Sequence, residues 1–355
     1  MNAAAKQRTC YLHSPENGLA RHLESILASQ PDWQVLRVES EDVASTEPGD
    51  VGLEIVVDQR SPSPRISAKR WIRLVLSQPG VAPLEAPQTS QASDGSVTIQ
   101  LPPMFGKWCD PDRSPVAAWC RDLAQGTPPV PAGPEPLRLV YIDDVVEAVL
   151  AMVLDDQPWR SPPLTELPGE GWLDRLLKID RARRGSRIPR VWDPVVRRLD
   201  ATYLSWLPPN RWLATAEVNR DERGWLAELV KVEGGGQCFI STTEPGITRG
   251  NHFHHTKVER FCLLRGEGVV RLREVGSQQV IEIPVQTQPL QWVDIPPGHT
   301  HSIENTGSQV MVVLFWANEV FDPRRPDTYS LPVLEVGPES PLGEAGGARD
   351  PEVPS

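Results

Sequence analysis

Five of the seven histidines lie in two short segments near the end of the chain, and this pattern restricts the possible folds more than any other feature. The first segment, Gly246 to Gly266, reads GITRGNHFHHTKVERFCLLRG, and the second, Pro296 to Asn305, reads PPGHTHSIEN. Side chains two residues apart lie on the same face of a strand, so His252 and His254 are predicted to point together. The first segment therefore predicts a strand that presents two imidazoles to one site.

Two further ligand-type side chains are predicted to join them. A turn is expected to return Glu259 on a neighbouring strand, and the Pro-x-Gly turn lets His301 enter from a later strand. Three imidazoles and one carboxylate are a typical set for a divalent metal, and zinc, iron, manganese and nickel are all chemically suitable. The alternative is a group of surface histidines without a ligand, but a two-part spacing pattern is more specific than a single HxH. His255 and His299 are out of phase and are predicted to be exposed or to support the ligands.

The composition excludes some classes of partner. At 355 residues the chain has room for two domains, and its net charge of −11 argues against general binding to nucleic acids or anionic membranes. The sequence contains no signal peptide and no apolar span of membrane length, so we expect a soluble, cytoplasmic protein. Five cysteines without a CxxC pair are expected to be reduced thiols.

The first 60 residues alternate between strand, helix and strand, which is typical of the start of a doubly wound sheet. A dinucleotide site at the first turn needs glycines, because the backbone must approach the pyrophosphate closely. Here the turn reads HSPENGLARH, in which Gly18 is the one glycine, Pro15 lacks a donor and Glu16 adds a negative charge. This turn is predicted to bind NADP(H) poorly or not at all.

Two later motifs carry a resemblance. FGKWCDP at Phe105 to Pro111 and YIDDVVEAV at Tyr141 to Val149 resemble the later half of extended short-chain dehydrogenase/reductase domains. Those enzymes use a Tyr-x-x-x-Lys pair in which the lysine lowers the pKa of the tyrosine. None of the four tyrosines here has a lysine four residues later. The first half is therefore predicted to be a degenerate reductase domain, without its glycine loop and catalytic pair.

The second half is predicted to be mostly β. A short helix at Leu173 to Ile179 precedes the aromatic segment Asp200 to Pro209, which is interpreted as a domain-docking segment, with a substrate contact as the alternative. Short strands then follow one another up to Ala317 and predict a jelly-roll barrel. The segment after Val336 lacks apolar residues and is expected to be disordered. The predicted domains are 1–210, 211–336 and a disordered tail, 337–355.

The strongest resemblance lies in this second half. GITRGNHFHHTKVERF, GEGVVRLREV, VDIPPGHTHSIENTG and FDPRRPDTY are similar to the C-terminal cupin of the bifunctional capsular-polysaccharide enzymes that make the UDP-N-acetyl-L-fucosamine precursor. With FGKWC and YIDDVV, the likeness covers most of residues 97–336. It implies an α/β plus all-β protein, with a doubly wound Rossmann-like N-terminal domain followed by a cupin jelly-roll β-barrel. In that family the cupin epimerises carbon 3 of a UDP-linked 4-keto-6-deoxy sugar, and the reductase half then reduces the 4-keto group with NADPH.

The resemblance implies roles for particular residues. It predicts a nucleotide-sugar epimerase, with a degenerate N-terminal domain serving as scaffold or dimerisation surface in a homodimer. The expected cofactor is a divalent metal, with zinc favoured, and the expected partner is a UDP-linked keto sugar. Alternatives are an NADPH-dependent reductase of the same sugar, a non-catalytic sugar-nucleotide-binding scaffold, and a dioxygenase with the same ligands. The predicted metal ligands are His252, His254, Glu259 and His301, the predicted catalytic residues His252, His254, Lys257 and His301, and the predicted substrate-binding residues Arg249, Arg271 and Arg273.

Overall fold

The structure, a computed structural model, describes residues 8–14, 17–38, 50–56, 68–76, 87–93, 95–133 and 135–334. The chain divides into two compact units, of which unit 1 comprises 1–181 with 191–212 and unit 2 comprises 182–190 with 213–355. Pro15 and Glu16 of the first turn and the predicted tail, 337–355, lie outside the described residues. Among the described residues, no helix combines the length and the apolar character that a membrane span requires.

Unit 1 is built from two sheets and the helices around them. In chain order, the elements up to residue 211 are β1 (Arg8–His13), α1 (Gly18–Leu27), β2 (Trp33–Arg37), β3 (Val51–Val56), β4 (Trp71–Leu76), β5 (Gln88–Gln91), β6 (Val97–Leu101), β7 (Met104–Phe105), α2 (Pro115–Ala124), β8 (Pro136–Tyr141), α3 (Ile142–Asp155), β9 (Leu164–Pro168), α4 (Gly169–Arg184), α5 (Pro194–Trp206) and a 3-10 helix (Pro209–Arg211).

The larger sheet of unit 1 has the order β2-β1-β3-β4-β6-β5. The first five strands in this order run parallel, and β5 pairs antiparallel with β6 at the edge. Leu53, Leu74 and Ile99 from three of these strands join one buried core with residues of α1 and α3. A smaller sheet has the order β7-β8-β9. The strand, helix and strand at the start of the sequence thus form part of a mixed α/β unit.

The start of α3 carries two aspartates but no side-chain cap. The N-cap residue is Tyr141, whose side chain makes no capping bond. Both aspartates lie in the first turn, where the helix dipole favours negative charge. Their carboxylates form ion pairs instead, Asp143 with Lys107 at 2.5 Å and Asp144 with Arg198 at 2.9 Å.

The segment predicted to dock between domains is instead the end of helix α5. Asp193 caps this helix by accepting N–H bonds from Val195 and Val196. Tyr203 is fully buried in the second core of unit 1, and its hydroxyl donates to Asp180. Tyr203 of this segment therefore packs into the interior of its own unit. The helix predicted at Leu173 to Ile179 is longer than expected, because α4 extends to Arg184.

Unit 2 consists of two antiparallel sheets, with the orders β10-β11-β12-β19-β14-β17 and β16-β15-β18-β13-β20. Its strands are β10 (Val218–Asp221), β11 (Gly224–Val232), β12 (Gly236–Thr243), β13 (Thr248–Phe253), β14 (Glu259–Arg265), β15 (Glu267–Glu274), β16 (Val280–Gln286), β17 (Trp292–Ile295), β18 (His299–Asn305), β19 (Met311–Ala317) and β20 (Tyr329–Ser330).

The two sheets of unit 2 enclose one apolar core. Phe261 and Val313 from the six-stranded sheet meet Val270 and Ile303 from the five-stranded sheet. Along these strands, buried residues alternate with outward-facing ones, as expected for strands with one buried face. One expectation was wrong: β13 and β14 lie in different sheets, so Glu259 does not return on a strand that neighbours the one carrying His252.

Candidate metal centre and its cavity

The backbone of β13 brings His252 opposite His301. Gly250 has φ +101°, and a Cβ at this position would lie 2.6 Å from the His301 carbonyl oxygen, so only glycine permits this approach. Asn251 also has a positive φ, and the register of β13 against β18 shifts here. The bulge re-aims the strand and pairs His252 with His301 across the ladder.

Four side chains converge at the end of this strand pair. The cluster members each offer a ligand atom within 4.8 Å of the others, and they are His252, His254, Glu259 and His301. Three of them are buried, and His252 is half-buried. The six-stranded sheet supplies Glu259 as the first residue of β14, whereas β13 and β18 of the other sheet supply His252 and His301.

Backbone carbonyl groups orient two of the imidazoles. His254 donates from Nδ1 to the Asp327 carbonyl oxygen at 2.6 Å, and His301 donates from Nδ1 to the His299 carbonyl oxygen at 3.2 Å. A carbonyl oxygen is only an acceptor, so these bonds place the ring proton on Nδ1 and leave a lone pair on Nε2. Both Nε2 atoms are buried without a hydrogen-bond partner among the described residues.

These lone pairs face a carboxylate. The Nε2 atoms of His254 and His301 lie 3.4 Å from the two oxygens of Glu259. Burial alone would raise the pKa of Glu259, but positive charge on the His254 and His301 side of the carboxylate holds that pKa well below the usual range of a glutamate. Burial, with the charges of neighbouring histidines, lowers the pKa of His252 to about 3. The cluster therefore combines an ionised carboxylate with a neutral His252 imidazole.

This donor set fits a divalent metal ion. Acceptor atoms that face each other in a buried site repel unless a cation or proton lies between them. Imidazole nitrogen and carboxylate oxygen are typical ligands of zinc and its neighbours, and a second hydrogen bond from the far ring nitrogen is the usual support for a ligating histidine. The described residues thus offer a metal site with three nitrogens and one carboxylate.

The cluster lies in a cavity of about 590 Å³ within unit 2. One wall is apolar and includes Phe239 and Phe315, whose rings stack with centroids 4.7 Å apart. Polar side chains of Asn251, Thr328 and Ser330 also line it. The cavity can therefore hold a molecule with one apolar face and several hydroxyl or carbonyl groups.

The predicted catalytic Lys257 does not line this cavity. Its side chain is buried, and Nζ donates to the Pro326 carbonyl oxygen at 2.9 Å and to the Thr328 hydroxyl at 3.3 Å. Lys257 does not line the cavity, but Thr328 does. Thr328 is therefore a residue that contacts both the ammonium group and the cavity.

The three arginines predicted to bind substrate have different environments. Arg249 lines the cavity, and its side chain is 13% exposed. Arg271 lies outside it, paired with Glu282 and Glu304 on neighbouring strands. Arg273 is buried, and it donates to the carbonyl oxygens of Ser277, Pro332 and Val333. Only Arg249 of these three therefore lines the cavity.

Sequence reasoning missed two features of the site. Asp327 accepts backbone N–H bonds from His255, Thr256 and Lys257, and it lies in the FDPRRPDTY motif that carried part of the resemblance. The second feature is a group of charged side chains near the β10–β11 turn, Arg220, Asp221 and Arg223, which line the same cavity. Only the motif offered a signal for the first, and nothing in the local pattern indicated the second.

Unit 1 has a separate cavity at the first turn of α1. Asn17, Gly18, Met104 and Cys109 are among its lining residues. A Cβ on Gly18 would lie 2.0 Å from the Trp108 carbonyl oxygen, so this glycine admits the close approach of the FGKWC backbone. The Trp108 carbonyl oxygen therefore lies next to Gly18 at the start of α1.

Comparisons with known proteins match both halves. Residues 219–329 match the family model of the polysaccharide biosynthesis C-terminal domain. Over 248 residues the chain is 34% identical to the UDP-2-acetamido-2,6-beta-L-arabino-hexul-4-ose reductase of Pseudomonas aeruginosa, a match that spans 67% of this chain and 65% of the length of that relative.

Two solved structures extend the likeness. A crystal structure of CapF with the inhibitor 3-isopropenyl-tropolone has a TM-score of 0.74 and 27% identity, and the match covers 91% of this chain and 100% of that chain. The capsular polysaccharide assembling protein CapF from Staphylococcus aureus has a TM-score of 0.73 and 28% identity, with 91% and 99% covered. The fold and the order of the two units are therefore similar to those of CapF.

Proposed function

We propose that this chain, a homologue of the capsular polysaccharide assembling protein CapF, is an enzyme that modifies a nucleotide sugar. The proposed reaction is epimerisation at carbon 3 of a UDP-linked 4-keto-6-deoxy-2-acetamido sugar. The proposed folds are a Rossmann-like domain for residues 1–210 and a metal-containing cupin for residues 211–336. The curated relative, by its name, acts on a UDP-linked hexul-4-ose, which supports a keto sugar as substrate.

One observation carries the proposal: the buried Nε2 atoms of His254 and His301, which have no hydrogen-bond partner in the described part of the chain, face the Glu259 carboxylate. Glu259 and His301 line a cavity large enough for a sugar. Epimerisation beside a ketone requires stabilisation of the enolate that forms when the α proton leaves. A bound divalent ion, proposed to be zinc, would supply Lewis-acid stabilisation of charge on the keto oxygen. His254, Glu259 and His301 would hold it, with His252 either as the fourth ligand or as the base.

Proton transfer is assigned to His252 and Lys257. His252 lines the cavity and is the most accessible histidine of the cluster, so its imidazole can reach a bound sugar. Lys257 would return a proton to the other face through the Thr328 hydroxyl, which lies 3.3 Å from Nζ and lines the cavity. The apolar wall formed by Phe239 and Phe315 suits the methyl group of a 6-deoxy sugar.

His252 serves either as the fourth ligand or as the base, because one lone pair cannot do both. His252→Ala separates these roles. Loss of a ligand lowers the metal content, whereas loss of a base leaves the metal content unchanged and abolishes proton exchange. Glu259→Gln is the matched variant, for which we expect loss of metal.

The test of the proposed function is exchange of the substrate α proton in deuterated water, followed by NMR on the metal-loaded, full-length protein. We expect deuterium at carbon 3 and a second epimer. Binding of the sugar nucleotide without exchange would instead favour a non-catalytic binding protein. Exchange that persists after removal of the metal would contradict a catalytic role for the ion.

A second candidate function is an NADPH-dependent reductase. It is favoured by the name of the curated relative and by the cavity of unit 1 at the first turn of α1. The Trp108 carbonyl oxygen beside Gly18 disfavours it, because a carbonyl oxygen repels a phosphate at the same helix start. Fluorescence titration with NADPH distinguishes the two, and saturable binding at micromolar concentrations would support the reductase.

A further inference from the structure

We infer that the cavity of unit 2 contains a subsite for a diphosphate, formed by Arg249 and by two arginines near the β10–β11 turn, Arg220 and Arg223. This inference rests on the proposed function and adds the orientation of its substrate. The sugar would lie toward the histidine cluster, and the nucleoside diphosphate would lie toward these arginines.

Arg249 provides the first observation. It precedes His252 by three residues on β13, which corresponds to roughly 10 Å along a strand. Its Nε donates to the Thr242 carbonyl oxygen at 3.2 Å, and one terminal nitrogen lies 3.6 Å from Asp221. That nitrogen is buried and has no hydrogen-bond partner among the described residues. A buried guanidinium with an unused donor is costly unless an anion satisfies it.

The charges near the β10–β11 turn provide the second observation. Arg223 binds Asp221 through Nε at 2.9 Å and through a terminal nitrogen at 2.6 Å. The same carboxylate is the nearest anion to Arg249, so two guanidinium groups share it. With Arg220, three arginines and one aspartate line this part of the cavity, an excess of two positive charges in a chain whose net charge is −11.

The chemistry of these groups favours a diphosphate over a single small anion. A guanidinium binds two phosphate oxygens in a planar, bidentate arrangement, and several arginines together match an extended anion. The excess of two positive charges is comparable to the charge of a diphosphate diester. The cavity of about 590 Å³ also exceeds the volume that a free phosphate would fill. A nucleoside diphosphate sugar would place its sugar at the histidine cluster and its diphosphate at the arginines.

The test measures binding of UDP, uridine, pyrophosphate and orthophosphate to the full-length, metal-loaded protein by isothermal titration calorimetry. We expect UDP to bind at least tenfold more tightly than uridine, and pyrophosphate to compete with UDP better than orthophosphate does. Arg249→Gln and Arg220→Gln should each weaken UDP binding at least tenfold.

Arg260→Gln is the matched control, because Arg260 is exposed and pairs with Asp294 outside the cavity. If Arg249→Gln disturbs the fold by losing its bond to Thr242, the exposed Arg220 still tests the inference. Equal UDP affinity in the wild type and in Arg220→Gln would overturn it, as would equal binding of uridine and UDP. UDP binding that depends on the arginines, without proton exchange, would refute the epimerase function and support the diphosphate subsite. Proton exchange together with unchanged UDP affinity in the arginine variants would support the epimerase function and refute the subsite.

Discussion

The imidazole of His254 donates to the backbone carbonyl oxygen of Asp327 at 2.6 Å, across 73 residues of sequence. The Asp327 carboxylate also accepts hydrogen bonds from the backbone N–H groups of the three residues after His254, His255 to Lys257. Asp327 has φ +42°, a backbone conformation that asparagine and aspartate tolerate better than most residues. One residue thus orients a cluster imidazole and also holds the loop that follows it.

Asp327→Ala keeps the backbone carbonyl that orients His254 but removes the carboxylate that holds this segment against the loop after His254. Metal binding should therefore weaken, by up to the about 10- to 100-fold that loss of a ligand's support usually costs. The variant loses the acceptor for three backbone N–H groups and adds strain at a positive φ. Asp327→Asn retains an oxygen and should lose less. Competition with a chromophoric chelator measures the affinity. Asp322→Ala, on the same segment but bonded to Arg324, is the control, and wild-type affinity in Asp327→Ala would disprove the positioning role.

Removal of the metal should destabilise unit 2. A ligand present at 100 times its dissociation constant stabilises the folded state by about 2.7 kcal/mol. Thermal unfolding with and without a chelator should show this shift in the wild type, and His301→Ala should abolish it. His299→Ala should retain the shift, because His299 contributes only its backbone carbonyl to the orientation of His301. An identical shift in both variants would place the metal elsewhere.

Arg273→Gln should lower the free energy of unfolding by about 3 kcal/mol, because a buried charged donor then leaves three carbonyl groups without their partner. The affinity for UDP should not change, since Arg273 does not line the cavity. Urea denaturation and calorimetry measure the two quantities. Loss of UDP affinity with unchanged stability would restore Arg273 as a substrate contact.

His22 should make unit 1 less stable in mild acid. Burial, with the charge of Lys107, lowers the pKa of His22, although Asp143 opposes this effect. The unfolded state takes up a proton near pH 6.5, whereas folded His22 does so only at lower pH. This contribution is therefore present above about pH 6.5 and is lost as the pH falls toward the lowered pKa.

His22→Asn removes the titrating group and is the variant to compare. The difference in unfolding free energy between the wild type and His22→Asn should shrink from pH 7.5 to pH 5.5, as measured by urea denaturation. A difference that grows over this range would mean that the folded pKa of His22 is raised instead.

Tyr203→Phe should lower stability by about 1 to 2 kcal/mol, because the half-buried Asp180 loses a hydroxyl donor. Proton exchange on the substrate should be unaffected, since Tyr203 lies in the core of unit 1. The exposed Leu204→Ala is the control and should change the unfolding free energy by less than about 0.5 kcal/mol. A reduced exchange rate in Tyr203→Phe would support the alternative of a substrate contact.

The histidine cluster could be predicted because its signal is local. Two histidines two residues apart share a strand face, and a Pro-x-Gly turn precedes His301. The origin of Glu259 in the opposite sheet could not be predicted, because the order of strands along a chain does not specify which sheet each one joins. The succession of short strands up to Ala317 was predicted for the same local reason, the alternation of apolar and polar side chains, and it is present in unit 2.

Other contacts depend on distant parts of the chain. The outward direction of Arg271 could be predicted from the alternation of side chains along β15, since Val270 and Leu272 on either side are buried. Arg273 lies on the same face of the strand as Arg271, but it is buried because Pro332 and Val333 cover it. No local pattern predicts that contact. Asp327 lies 73 residues from the imidazole that it orients. Only a motif shared with relatives indicated its segment in advance.

The origin of the cluster in both sheets has a consequence for assembly. Glu259 comes from one sheet and His252 and His301 come from the other, so no fragment confined to one sheet contains the whole site. An ion held there would act as a cross-link that forms late in folding and must break before the sheets separate. Slow release of the ion would then set the lifetime of the folded state.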